Sequence, residues 1–165
     1  MEIKNNILSK AILLIFALTL VTEIQAQDTT AIDKDNFPNP VFVQPDPPKP
    51  VKGWEMINQV GNKVLEGKYP GKILKFQFEG DAVGIAVLSG PESGIIEYSV
   101  DNYPWQKKDL YVNTRKVSDQ GYFFTLETGL KAQKHTLQIR LSNEKNDKSA
   151  GKKCALTHFY FNNPE

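Results

Sequence analysis

The sequence predicts an all-β fold: a two-sheet antiparallel β-sandwich of jelly-roll type. Three observations carry that prediction. Apolar and polar residues alternate with a period of two in several short runs. Those runs recur at roughly 8–12-residue spacing, with Gly, Pro, Asn, Asp and Ser clusters between them. Helical periodicity is nearly absent, and only residues 56–65 could form a turn or two of helix.

The chain has 165 residues. Its first 26 residues read as a signal peptide. Lys4 and Lys10 make a positive start, residues 11–21 (AILLIFALTLV) form an uncharged apolar run, and Ile24-Gln25-Ala26 offers a small residue at the cut. The run is short for a membrane span, so cleavage is favoured over an anchor. No cysteine lies near the cut to carry a lipid. The expectation is a periplasmic or secreted protein with no membrane attachment after cleavage.

Residues 27–52 form a Pro-rich extended segment, and six of the ten prolines fall between Pro38 and Pro50. Proline fixes φ and donates no ladder hydrogen bond, so this stretch reads as polyproline-like. Two readings stand: a semi-rigid spacer, or an arm whose Val41, Phe42 and Val43 pack along the edge of the domain.

The sandwich is assigned to residues 53–165, with about seven or eight short strands. Leu74, Phe76 and Phe78 alternate with Lys75, Gln77 and Glu79, as in a half-buried strand. Residues 82–88 are continuously apolar and read as a more buried strand. Ser89 to Gly94 (SGPESG) is turn chemistry. Ile96, Tyr98 and Val100 alternate with Glu97 and Ser99, and Asp101-Asn102 turns the chain. Short strands follow at 105–107 and 110–112, then a polar loop to Gly121. Residues 122–126 read as a strand, and Thr128-Gly129 as a turn. Leu137, Ile139 and Leu141 face opposite Thr136, Gln138 and Arg140. A lysine-rich loop precedes the final strand at 155–161.

Charge and chemistry narrow the function classes. Removing the first 26 residues leaves 18 basic and 17 acidic side chains, so the net charge stays at +1. A near-neutral protein carries no electrostatic footprint for nucleic acid or an anionic membrane. Cys154 is the single cysteine, so no internal disulfide is possible and a buried, inert thiol is expected.

A Ser-His-Asp hydrolase needs a nucleophile, a base and an orienting carboxylate. His135 is in phase with Leu137 and reads as an inward residue, and His158 lies within the last strand. Neither is flanked by acidic residues, and no G-x-S-x-G is present. The sequence calls for no cofactor and no metal: two histidines and one cysteine make no zinc spacing, and lysines interrupt the oxygen-rich stretch 143–147. Glu97, Asp101 and Asp109 stand open as a carboxylate pair for glycoside hydrolysis, and equally as outward strand or turn residues.

The aromatic supply is the positive signal. Asp101 to Tyr111 (DNYPWQKKDLY) sets rings among polar residues beside turns. Aromatic faces stack on the apolar faces of sugars while neighbouring polar groups bond the hydroxyls. Tyr103, Trp105 and Tyr122 are the candidate stacking rings, with Asp101, Asp109 and Arg115 as polar partners. Trp105 could equally be a core ring. Tyr122 and Phe123 must face opposite ways in a strand.

The stretch from Tyr69 to Asn162 also carries a resemblance. The phrases YPGKILKFQFEGDAVGIAVLSGPESGIIEYSVDNYPW, DLY, GLKAQKHTLQIRLS and CALTHFYFN resemble the N-terminal β-sandwich module of Bacteroidetes SGNH/GDSL-type hydrolases, akin to the jelly-roll module of some carbohydrate esterases. The most specific part is the order G-x-A-V-G-I, then G-P-x-x-G-x-I-x-Y-S-V-D, then W, then D-L-Y. The resemblance implies a jelly-roll fold and an accessory role beside a polysaccharide-acting enzyme. The sequence ends at Glu165, where the catalytic domain would begin, so the family's nucleophile and Asp-x-x-His have no counterpart in it.

The expectation is therefore an exported, non-catalytic carbohydrate-binding-like accessory module acting beside polysaccharide-degrading or deacetylating enzymes. Its partners would be a polysaccharide or oligosaccharide and a partner hydrolase. The rival is a protein-interaction or structural envelope module without glycan binding. A small carbohydrate esterase is the least supported reading.

Overall fold

Ten strands build two antiparallel sheets in the computed structural model, which describes residues 31–47 and 49–164. The expected signal segment lies outside the described residues. The strands are β1 (Pro40–Val43), β2 (Trp54–Gln59), β3 (Asn62–Gly67), β4 (Leu74–Gly80), β5 (Ala82–Val87), β6 (Ile95–Val100), β7 (Gln106–Asp109), β8 (Tyr122–Glu127), β9 (Gln133–Leu141) and β10 (Cys154–Asn162). One sheet runs β2-β3-β10-β5-β8, with β1 also paired to β10; the other runs β4-β9-β6-β7. No helix occurs among the described residues.

The alternation read from the sequence decides which side chains lie between the sheets. Leu74 and Phe78 of β4 are buried and Phe76 is half-buried, while Lys75, Gln77 and Glu79 are exposed. Leu137, Ile139 and Leu141 meet Ile96 and Tyr98 from β6 and Ile85, Val87, Leu156 and Phe159 from the facing sheet in one core. All of β5 is buried, as its unbroken apolar run requires, because both its faces are covered.

Its outer face is covered by the N-terminal arm. Phe37, 1% exposed, packs edge-on against Tyr160 with ring centres 4.7 Å apart. Tyr160 lies flat over Gly84, where an added Cβ would fall deep inside contact distance of its ring. Pro40–Val43 pairs with Phe159–Asn162 as β1, so this part of the Pro-rich segment is a strand of the sheet.

Two local expectations fail. Residues 56–65 form no helical turn; they lie within the β2–β3 hairpin, paired from Trp54↔Gly67 to Gln59↔Asn62. Val60 and Gly61 turn it with φ of 49° and 79°, a two-residue turn with both residues left-handed. A valine rarely adopts that conformation, so the turn has no sequence signature. Residues 110–112 form no strand either. Leu110 is 1% exposed because it plugs the core from a loop.

Candidate functional site

The outer face of the four-stranded sheet is polar by the same alternation. Lys75, Gln77 and Glu79 come from β4, Lys134, Thr136, Gln138 and Arg140 from β9, Glu97 and Ser99 from β6, and Lys107 from β7. Trp105, just before β7, stands on this face 37% exposed. It is a surface ring, which settles the alternative the sequence left open.

Arg140 lies 4.2 Å from the centre of the Trp105 ring system, a cation–π contact. Its guanidinium is fixed in turn: Nε and Nη2 both donate to Glu97 Oε2, each at 2.7 Å. Ser142 Oγ donates to Glu97 Oε1 at 3.0 Å. Partial burial raises the Glu97 pKa, but the Arg140 and Ser142 hydrogen bonds and the charges of Arg140 and Lys107 outweigh it, so the carboxyl sits below its ordinary value. One face of the indole is thus backed by a rigid cation.

The β6–β7 turn presents Tyr103 next to this platform. Asp101 and Asn102 have φ of 49° and 64°, and Tyr103 N donates to Val100 O at 2.9 Å. Asn and Asp tolerate left-handed φ better than other side chains, which is why this pair turns here. The turn is tied to β9 on several atoms. Thr136 N donates to Asp101 Oδ1 at 2.8 Å, and Gln138 Nε2 donates to Asn102 Oδ1 at 2.9 Å. Ser99 Oγ donates to Tyr103 O at 2.6 Å. Gln138 and Ser99 are buried beneath the turn although they point outward.

His135 anchors the turn from below. Its Nδ1 lies 2.5 Å from Asp101 Oδ2 and its Nε2 lies 2.7 Å from Lys131 O. Both ring nitrogens face oxygen acceptors, and an imidazolium satisfies both. Burial opposes the charged ring, but the Asp101 bond, the Lys131 carbonyl and the Asp101 charge prevail, and the pKa is raised. For Asp101, burial likewise opposes ionisation while His135 and the Thr136 amide win, and the pKa is lowered. The sequence showed no acid beside His135, because its partner lies 34 positions away. With both nitrogens engaged, this His–Asp pair has no acceptor for a nucleophile's proton.

Between this turn and the β8–β9 turn runs a groove of about 680 Å³, lined among others by Asp101, Tyr103, Pro104, Gln106, Glu127 and Lys131. Tyr103 is 61% exposed on its wall. Gln106 Nε2 donates to Glu127 Oε2 at 3.1 Å, and Tyr98 hydroxyl bonds Gln106 Oε1 at the same distance.

The structure therefore brings Asp101, Tyr103 and Trp105 together and leaves the other candidates elsewhere. Asp109, at the far end of β7, accepts from Tyr111 N at 2.9 Å and Asn146 Nδ2 at 2.6 Å. Arg115 is exposed in the β7–β8 loop. Tyr122 is half-buried and packs on the core, so it adds no ring to this surface. Phe123 takes the opposite face of β8, against Phe42 and Tyr160. His158 is half-buried edge-on to Phe42, with its pKa lowered by burial. Glu97, Asp101 and Asp109 are each engaged by partners of their own.

Sequence reasoning missed Arg140, Asn102, Gln106, Glu127 and Lys131 as contributors. Alternation had already placed Arg140 outward. Its contact with Trp105 crosses strands that pair only in the folded sheet.

No family model matches the sequence, and no curated protein matches it. Solved structures share its fold. A family two carbohydrate esterase from Cellvibrio japonicus matches with a TM-score of 0.53 at 19% identity, over 76% of this chain and 34% of the esterase. A two-domain esterase active on acetylated mannans, co-crystallised with mannopentaose, matches at 0.58 and 13% identity, over 81% and 39%. The CBM36-1 domain of a multidomain xylanase, from the hindgut metagenome of Trinervitermes trinervoides, matches at 0.51 and 8% identity, over 74% of this chain and 95% of that domain. The chain spans little more than a third of the length of these esterases. The likeness is one of fold: the jelly-roll sandwich of carbohydrate-binding modules, found also within carbohydrate esterases.

Proposed function

We propose that this protein is an exported, non-catalytic carbohydrate-binding module that holds a glycan against Trp105 on the outer face of the four-stranded sheet. The observation that carries the reading is the exposed indole, backed by Arg140 and surrounded by hydrogen-bonding side chains. A sugar ring stacked on the indole would lose apolar surface to it, while Gln77, Thr136 and Lys75 offer donors and acceptors to its hydroxyls. The lipophilic leader read from the sequence supports export to the periplasm or the medium. The shared fold with carbohydrate esterases and a xylanase module supports service beside a polysaccharide-degrading or deacetylating enzyme.

Calorimetric titration against plant and host polysaccharides tests the reading. Trp105→Ala should weaken binding about 10- to 100-fold, the equivalent of about 1.5–3 kcal/mol for a large ring taken out of water. The fold should survive, because Trp105 lies outside the core. No heat from any glycan with the folded wild type refutes it.

A second reading, a protein-interaction module without glycan binding, is favoured by β1. This short edge strand exposes Val41, Phe42 and Val43. A partner hydrolase captured through Val41→Lys-sensitive contacts, with no glycan bound, would favour it over the first.

A further inference from the structure

Taking Trp105 as the glycan platform, we infer that the ligand is an internal stretch of a neutral polysaccharide, which crosses from the sheet face over Pro104 into the groove beside Tyr103. Arg140 closes one face of the indole, so a sugar can stack only on the other. Tyr103 is also strongly exposed and stands two residues away on the groove wall. The Cα atoms of residues two apart in extended chain lie about 7 Å from one another, so one chain of several sugar units can reach both rings.

The backbone that carries both rings is held in place before any ligand arrives. Pro104 restricts φ between them and biases Tyr103 toward extended geometry. Asp101 and Asn102 pin the turn to Thr136, His135 and Gln138 on β9. A turn already ordered costs little backbone entropy on binding, so each ring can add to affinity as the chain lengthens.

Exposure argues for an internal stretch of chain. Asp101, Tyr103, Pro104, Gln106, Gly129, Lys131 and Gln133 all line the groove and all are solvent-exposed. Of its lining residues only His135 is buried, so the channel is open along its length and does not enclose a terminal sugar. Charge argues for a neutral chain. Glu97 neutralises Arg140 beside Trp105, Asp101 faces the His135 imidazolium, and Glu127 and Lys131 contribute one charge of each sign. On the sheet face Lys107 is paired with Glu144 and Lys134 lies across from Glu79, which leaves Lys75 as the single surplus cation, too weak a field to select an acidic chain.

The test is titration with linear oligosaccharides from mannan, cellulose and xylan, from dimer to hexamer, with polygalacturonate as the acidic probe. Wild-type affinity should rise with length and then level off. Tyr103→Ala should lower hexamer affinity about tenfold and dimer affinity less than twofold, and Tyr103→Phe should restore it. Trp105→Ala should weaken every length. Binding that needs Trp105 but is the same for dimer and hexamer, or is unaffected by Tyr103→Ala, overturns this path while leaving the platform standing. Tighter binding of polygalacturonate than of any neutral chain overturns the neutral assignment. Absence of binding at every length removes the platform and this inference together.

Discussion

Replacing Asp101 with Asn removes a charge from the anchor of the β6–β7 turn while nearly preserving its shape. In the wild type, Asp101 Oδ1 accepts the Thr136 amide and Oδ2 meets His135 Nδ1. An Asn that keeps its oxygen on Thr136 must aim its NH₂ at His135, where two donors collide unless the ring gives up a proton. The His135 side chain is 4% exposed, so a charged ring without its partner is costly there. A hydrogen bond to a charged group is worth about 1.5–3 kcal/mol. Asp101 is 35% exposed and screened by water, which favours the low end, about 1.5 kcal/mol.

The pH dependence has a definite sign. The folded His135 pKa lies above its ordinary 6.5, so its contribution is complete below 6.5 and is lost as pH rises through the raised folded value. The folded Asp101 pKa lies below its ordinary 3.8, so its contribution is complete above 3.8 and is lost as pH falls through the lowered folded value. The pair therefore contributes most between those limits. Urea unfolding followed by the fluorescence of core Trp54 should show Asp101→Asn losing about 1.5 kcal/mol at pH 5.5 and less at pH 9. An equal loss at both pH values would refute the charged-pair account and reduce Asp101 to a neutral turn acceptor.

Three further outcomes follow from the packing. Gly84→Ala should cost about 1–3 kcal/mol or more by urea unfolding, because its Cβ would strike the Tyr160 ring and approach Phe124 O at 2.7 Å. Adding Tyr160→Leu should recover part of that loss, and a fully additive double variant would show the collision is not its cause. Phe37→Ala should lower stability by about 3 kcal/mol in thermal unfolding if the N-terminal arm is part of the fold, since Phe37 is buried against Tyr160; a change below about 0.5 kcal/mol would mean the arm is dispensable. Cys154 is buried with its thiol pushed up to about 12, so a thiol reagent at pH 8 should label it only as fast as the domain unfolds. Rapid labelling of native protein would show access through β10.

What was legible in the sequence followed from local pattern. Period-two alternation located β4, β6 and β9 and assigned their inner faces, because a residue's side of a strand depends only on its parity. The unbroken run from Ala82 identified a more buried strand, and the fold covers both its faces. The Asp101-Asn102 turn was visible because those side chains tolerate left-handed backbone. Where parity failed as a guide, the residue served a neighbour distant in sequence. Val60 holds a hairpin turn in a conformation its own preference opposes. Leu110 is apolar to fill the core from a loop. Pro40–Val43 becomes a strand because the C-terminal half of β10 leaves an edge for it.

The sequence by itself determined an all-β sandwich, the polar outer face of β4, β6 and β9, and a ring-rich turn as the place to look for binding. Only the tertiary structure decided that Trp105 is exposed, that Arg140 and Glu97 brace it, that His135 and Asp101 lock the turn, and that Asp109, Arg115 and Tyr122 stand apart. The physical reason is range. Alternation and turn chemistry are set by residues within a few positions of one another. The site is assembled by hydrogen bonds and stacking between strands 34 to 45 positions apart, and those partners are chosen by sheet register once the chain has folded.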